Sequence, residues 1–290
     1  MSYLRVKTKL PLIFLLPAVA LILCIGLFPF LLSLYWSFHE YILGSSSAPT
    51  FVGLENYARF FLMDRETLPV IESTLAIMFI ALAISLGLGF LFALVINRDF
   101  PGRSIIRALF LMPLFISGVS TSIIWVSLID ENLGPFEYML MSLLGKKVYF
   151  TATPVSARLI IGAIEAWTGI PYTMLLILAA LQSIPPDLVD SAKVDGAGTL
   201  HLYRYIILPL IARVFLALII LRIIQLMQVF TATYVITHGG PGLATTTWVF
   251  KTYLSTFRYF DMGYGAAIAF SMMFVLVPFM LLYLNLVLKE

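Results

Sequence analysis

Charge is scarce in this sequence: Asp, Glu, Lys and Arg together make up 11% of its 290 residues, against about 25% in soluble domains. A chain so poor in charge cannot coat a large solvated surface. Its one cysteine, Cys24, excludes an intramolecular disulfide and a thiol-rich metal site. Its three histidines, His39, His201 and His238, stand far apart and form no cluster. There is no Gly-x-x-x-x-Gly-Lys-Ser/Thr phosphate cradle, no His-Glu-x-x-His and no Gly-x-Ser-x-Gly elbow, so neither nucleotide hydrolysis nor intramembrane proteolysis has visible chemistry. No cofactor or metal site, and no catalytic residue, is expected in the chain itself. The net charge of +3 gathers into no basic patch, which argues against nucleic acid. Linkers, low-complexity tracts and a convincing internal repeat are also missing, and the last absence counts against carriers built from inverted halves.

What the sequence has in abundance is apolar length: 61% of residues are hydrophobic and the mean hydropathy is +1.01. Runs free of Asp, Glu, Lys and Arg cover Leu10–His39, Ser73–Asn97, Ala108–Ile129, Ile223–Phe250 and Met262–Leu288, and Leu159–Gln182 carries only Glu165. Each reaches the roughly 20 residues that cross a hydrocarbon core. Because the fourth charge-free run begins after Arg222, a span at about Ala212–Ile236 with one embedded arginine is expected. Only helices satisfy their own backbone groups in lipid, so the fold class is all-α, a single polytopic domain over 1–290 with six transmembrane helices. The first segment, with Arg5, Lys7 and Lys9 before an apolar stretch, runs on to Phe38 and reads as an uncleaved anchor. Ala81, Ser85, Gly89 and Ala93 recur every four residues and lay small side chains along one helix face, a pattern that packs helices closely. Pro113, Pro171 and Pro278 fall inside spans and predict bends.

Orientation follows from Lys and Arg near the span ends. Arg5, Lys7, Lys9, Arg98, Arg103, Arg107, Lys193, Arg204, Arg213 and Lys289 fall on one side. The longer loops of the other side hold Arg59, Arg65, Lys146, Lys147, Arg158, Lys251 and Arg258. The denser side is cytoplasmic, with both termini and a polar hairpin at about 183–211 between spans four and five. Ser183 is expected to cap the first hairpin helix, which starts at Pro185-Pro186 with Asp187 and Asp190 near its positive end. Gly196 stops that helix, Leu188, Val189 and Ala192 share one of its faces, and a second helix runs from about Thr199 into the span near Pro209. An amphipathic helix lying on lipid is the other reading, but such a helix favours Lys and Arg over these acids.

The hairpin spells Asp190-Ser191-Ala192, three residues, Gly196, nine residues, Ile206-x-Leu208-Pro209, with Asp195 before the glycine. This resembles the coupling loop of binding-protein-dependent importers of the ATP-binding-cassette class, whose pattern opens Glu-Ala-Ala. Here Asp190-Ser191 departs conservatively. Gly53-Leu54-Glu55-Asn56-Tyr57, Ile184-Pro185, Val194-Asp195-Gly196-Ala197, Thr237-His238-Gly239-Gly240-Pro241-Gly242 and Phe260-Asp261-Met262-Gly263-Tyr264-Gly265 are similar, in order, to the carbohydrate-uptake branch, near the maltose-type and glycerol-phosphate-type permeases. The resemblance implies a permease subunit of a bacterial or archaeal cytoplasmic membrane. It implies a second related permease, two ATPase subunits that hold ATP and Mg, and an extracytoplasmic solute-binding protein. The hairpin would transmit ATPase closure to the spans, and Gly239, Gly240, Pro241 and Gly242 would approach the binding protein. A plain turn accounts equally well for those glycines.

Polar groups within spans usually face a cavity or a partner. Glu165 and Gln228 fall roughly 10–12 Å below the outer span ends at 1.5 Å per residue, with Gln225 and Arg222 deeper and Trp167 and Tyr172 flanking Pro171. Amides, a carboxyl and aromatic rings suit a hydroxyl-rich solute. Helix packing through buried hydrogen bonds explains Arg222 and Glu165 as well. An ion-driven secondary carrier is the competing class, although Glu165 is the sole embedded acid, and a permease for a non-sugar solute is the other alternative.

Overall fold

The computed structural model describes residues 10–288, and the basic residues Arg5, Lys7, Lys9 and Lys289 used for orientation lie outside them. In chain order the helices are α1 (Leu10–Leu21), α2 (Phe28–Ser37), α3 (Glu55–Ala58), α4 (Thr67–Ile96), α5 (Arg103–Leu111), α6 (Gly118–Leu128) and α7 (Pro135–Leu144). They continue with α8 (Pro154–Gln182), α9 (Pro186–Val194), α10 (Thr199–Leu202), α11 (Leu208–Leu226), α12 (Trp248–Tyr253) and α13 (Met262–Leu288). Several are joined by π-helical turns, as at Ile22–Leu27 and Tyr203–Ile207. The all-α expectation holds apart from a two-residue antiparallel pair, β1 (His39–Glu40) and β2 (Thr50–Phe51), with His39 opposite Phe51.

Among the described residues, five helical stretches are long and apolar enough to cross a membrane: Phe14–Ser37, Thr67–Ile96, Pro154–Gln182, Thr199–Leu226 and Met262–Leu286. A sixth candidate is broken. Arg103–Phe115 and Gly118–Leu128 meet at 103°, where a single span over Ala108–Ile129 was expected. Pro113 lies in a tight 3-10 turn at Met112–Phe115, Ile116 and Ser117 are extended, and Ser117 then caps α6 by accepting the Ser120 N–H at 3.2 Å. Proline removes a backbone donor, and a new cap restarts the helix in a new direction.

The fifth span also differs from its expected bounds of Ala212–Ile236. The helix runs from Thr199 to Leu226, turns at Met227 and Gln228, and resumes as a short π-turn at Thr233–Thr237. Arg204 and Arg213 are carried on exposed positions of that helix, where long basic side chains reach polar surroundings while the backbone stays helical. The helix expected from about Thr199 into a span near Pro209 is therefore present, and it is the end of the span, at Leu226 in place of Ile236, that differs.

The chain separates into two packing units. One takes residues up to Asp64 together with Thr252–Ser271, and the other takes Arg65–Lys251 with the residues from Met272 onward. In the first unit, Asn56 donates to the carbonyls of Ser37 (3.1 Å) and His39 (2.9 Å), and the Tyr57 hydroxyl donates to Ser37 Oγ at 2.8 Å. Burial pushes the Tyr57 phenol above its usual range, partly offset by that Ser37 contact. Arg59 pairs with Asp261 at 2.8 Å and lies 4.0 Å from the Tyr264 ring centroid, and the Tyr264 hydroxyl donates to Asp64. A methyl group at Gly263 would strike the His39 carbonyl. The Gly53–Tyr57 and Phe260–Gly265 motifs thus build one cluster.

In the second unit α4 and α8 form the spine. Ala81, Ser85, Gly89 and Ala93 are all buried. A Cβ at Gly89 would sit 2.6 Å from Thr173 Cγ2, so the small-residue strip does permit close packing. Near one end of this pair, Ala93, Ile96, Ile177, Leu178 and Leu181 join Ala192, Leu202 and Ile207 of the hairpin in one buried apolar cluster.

Candidate functional site

The hairpin is the first site. Pro185 stands at the start of α9 without a side-chain cap. Ser183, expected in that role, instead closes α8, donating from Oγ to the Ala180 carbonyl at 2.8 Å. The two prolines explain the change, since a helix opening on proline has fewer free N–H groups to cap. Asp195 ends α9, and Gly196 follows at φ +84°, the left-handed geometry glycine adopts most readily. The Ala197 N–H returns to the Ala192 carbonyl at 2.9 Å and locks the turn.

Ala192 is buried and Val189 packs on the same cluster, whereas Leu188 is 48% exposed, so the expected shared face holds for two of the three residues. Asp190 and Lys193 pair at 3.0 Å in the open, and Ser191 and Asp195 are exposed beside them. Ile206 packs half-buried against the cluster, while Leu208 and Pro209 start α11 on its exposed side. Val194 and Leu200 are 87% and 80% exposed. The hairpin is thus anchored on one side and displays apolar side chains on the other.

The second site is a cavity of about 300 Å³ between the broken α5/α6 pair, α8 and the end of α11. Glu165, Gln225 and Gln228 line it together with Thr121, Ser122, Thr168 and Thr231. Gln228 reaches it from the turn beyond Leu226, so its depth cannot be counted along a helix ending at Ile236. Arg222 is buried behind the cavity: Nη1 donates to Gln225 Oε1 at 2.9 Å, and Nη2 points at the Glu165 carbonyl at 3.5 Å. Trp167 packs edge-on against Trp125, with ring centroids 5.9 Å apart, and Tyr172 lies against the apolar cluster. Neither borders the cavity. The hydroxyls of Thr121, Ser122 and Thr168 were missed because isolated Ser and Thr in apolar runs resemble ordinary helix-packing residues. The break at Ile116 and Ser117 is what brings α6 to this place.

The Gly239–Gly242 loop is the third. Gly239 is buried at φ +88°, and a Cβ there would lie 2.5 Å from Thr246 Oγ1. Thr245 and Thr246 donate to the carbonyls of Gly240 (2.8 Å) and Gly239 (3.1 Å), and Arg158 Nε donates to Ala244 O at 2.8 Å. Gly240 and Pro241 are half-buried and Gly242 is exposed. Packing and turn geometry account for Gly239, and Gly242 offers the open face.

The family described as "Binding-protein-dependent transport system inner membrane component" matches residues 9–289. The trehalose/maltose transport system permease protein MalF of Thermococcus litoralis is 34% identical over 96% of this chain and 94% of its own length. The sn-glycerol-3-phosphate transport system permease protein UgpA of Yersinia pestis bv. Antiqua (strain Antiqua) is 30% identical over 78% of this chain and 77% of its own. A chain of a bacterial alginate ABC transporter, crystallised with an alginate pentasaccharide-bound periplasmic protein, has the same fold. Its TM-score is 0.82 at 23% identity, covering 96% of this chain and 93% of that one.

Proposed function

Since this chain belongs to the binding-protein-dependent transport system inner membrane components, we propose that it is a transmembrane permease subunit of an ATP-driven importer for a sugar, oligosaccharide or related polyol or glycerol phosphate. The relatives named for trehalose/maltose and for sn-glycerol-3-phosphate support that solute range. It is a transport component rather than an enzyme. Under this reading it crosses a cytoplasmic membrane six times, the broken α5/α6 pair counting as one span, with both termini in the cytoplasm.

The observation that carries the mechanism is the hairpin. Ala192, Leu202 and Ile207 root it in the core made by α4 and α8, while Leu188, Val194 and Leu200 face outward. A docking ATPase would cover those apolar side chains. Force applied there would pass into α11, which continues from α10 through one π-turn, and α11 ends beside the polar cavity. The partners proposed are a second permease, two ATPase subunits with ATP and Mg, and an extracytoplasmic binding protein that meets the outer loops, Gly242 included. Alternating access then follows from hydrolysis in the partners.

Tagging the chain in its native membrane and identifying stoichiometric co-purifying proteins tests this directly. A second six-span permease and an ATP-binding subunit support it. A lone chain or homodimer whose uptake survives ATP depletion supports the secondary carrier instead.

A further inference from the structure

The cavity beside Arg222 has a chemical sign that the sequence does not disclose. A guanidinium only donates hydrogen bonds, so the contact from Arg222 Nη1 at 2.9 Å pins the Gln225 amide with its oxygen inward and its NH2 group away from the arginine. A backbone carbonyl only accepts, so Gln228, whose Nε2 reaches Ile224 O at 3.1 Å, keeps its amide oxygen free. By the same logic Ser122 and Thr168 spend their protons on the carbonyls of Gly118 (2.9 Å) and Glu165 (3.0 Å), leaving oxygen lone pairs. Glu165 lines the same cavity and brings a carboxyl group to it.

Acceptors therefore outnumber donors among these groups, the donors being the Gln225 NH2 turned away from Arg222 and the hydroxyls of Thr121 and Thr231. Thr121 completes the set. It is 2% exposed, borders the cavity, and its hydroxyl has no hydrogen-bond partner among the described residues. A buried hydroxyl left unpaired is costly, and a bound solute would satisfy it.

No Lys, Arg or His lines the cavity among the described residues. The nearby cation, Arg222, is 6% exposed and held behind Gln225. Gly169 gives it that berth, because a methyl group at Gly169 would overlap the guanidinium. In neither protonation state does Glu165 offer a positive counter-charge. Moving an anion into such a site would strip its water without replacing the charge.

We propose that this cavity selects an uncharged, hydroxyl-rich solute and rejects phosphorylated or uronic solutes. Thr121 and the Arg222-pinned Gln225 act as its specificity-determining pair. The inference rests on the importer reading above, and narrows its solute class.

The test uses the whole complex in proteoliposomes, with ATP inside and its binding protein outside. The probes are radiolabelled trehalose, maltose and glycerol against glycerol 3-phosphate and a uronic acid disaccharide. Uptake of an uncharged probe with anionic uptake at least about 100-fold lower is expected. Anionic uptake equal to or greater than that of the uncharged probes overturns the inference and leaves the importer reading standing. Failure of ATP-dependent uptake for every probe overturns both. Because the binding protein also screens solutes, a second arm holds it constant and replaces Thr121. Thr121→Val is expected to raise KM for the uncharged probe about tenfold with little change in maximal rate. Thr121→Ser, which keeps the hydroxyl, should restore the original KM. An unchanged KM in Thr121→Val overturns the assignment of Thr121.

Discussion

The Arg222 guanidinium lies against the backbone of Gly169, one residue on α11 fitting into the space left by a missing side chain on α8. From there Nη1 fixes Gln225 at 2.9 Å, while Nε has no partner among the described residues. A buried charge and a glycine thus form one structural unit at the rear of the polar cavity.

Gly169→Ala should test that unit. Its methyl group overlaps the guanidinium, and overpacking of this kind costs about 1–3 kcal/mol. The melting temperature of the purified complex should fall by several degrees and KM should rise. Gly169→Ala with wild-type melting and KM would show that Arg222 has room to move.

Gly196→Asp should abolish ATP-driven uptake while leaving the protein in the membrane. Nothing lies within 4 Å of a Cβ at Gly196, and Asp and Asn both tolerate its φ of +84° better than other side chains do, so the expected loss comes chiefly from a new charge on the proposed docking face. Gly196→Asn, which adds similar bulk without the charge, should retain more uptake. Normal transport by Gly196→Asp would remove the hairpin from the coupling path.

Gln228→Ala should change solute affinity or preference, since it removes the cavity's free amide oxygen. A several-fold rise in KM is expected from the loss of one hydrogen bond worth about 1 kcal/mol. Unchanged uptake kinetics across several sugars would take Gln228 out of the site.

The Asp261 carboxylate accepts Arg59 Nη1 at 2.8 Å and the Tyr264 N–H at 3.1 Å. Asp261→Ala should loosen the first packing unit by about 1–2 kcal/mol, mostly through the lost helix cap, because the Arg59 side chain is 51% exposed and such pairs contribute little. Asp261→Asn keeps the cap and should behave nearly as wild type. Limited proteolysis of the loop after Phe38 distinguishes the two.

Asp130 accepts the N–H groups of Leu133 (2.8 Å) and Asn132 (3.0 Å), which hold its carboxyl below the usual range. A lowered folded value means the turn's extra stability is present above the ordinary value of 3.8 and disappears as pH falls through the lower one. Hydrogen exchange at Asn132 and Leu133, corrected for intrinsic rates, should stay protected at pH 5–8 and lose protection only in stronger acid. Loss of protection near neutral pH would contradict the contact.

Much of this fold was legible because lipid imposes one simple rule on each span. Apolar length located Thr67–Ile96, Pro154–Gln182 and Met262–Leu286 within a few residues. The rule failed where backbone chemistry overrode composition. Pro113 and the extended Ile116–Ser117 pair broke a run that looked continuous, and the turn at Met227 and Gln228 ended α11 at Leu226 inside a run that stays free of charge to Phe250. In the cavity, Glu165, Gln225 and Gln228 stood out as polar residues in apolar runs. Thr121 did not, because only the 103° bend turns its helix toward them. Trp167 and Tyr172 shared a helix with Glu165 but face Trp125 and the apolar cluster, a difference of rotation about α8 that sequence position alone leaves open.

The proposed function has this chain move a solute on energy delivered through the α9–α10 hairpin. The most direct measurement is solute uptake by the complete complex in proteoliposomes, with Gly196→Asp beside the unaltered chain and ATPase activity read in parallel. Uptake that requires ATP and the binding protein is expected, with a Gly196→Asp complex in which solute no longer moves. Uptake driven by an imposed ion gradient without ATP, equal in both chains, would contradict it.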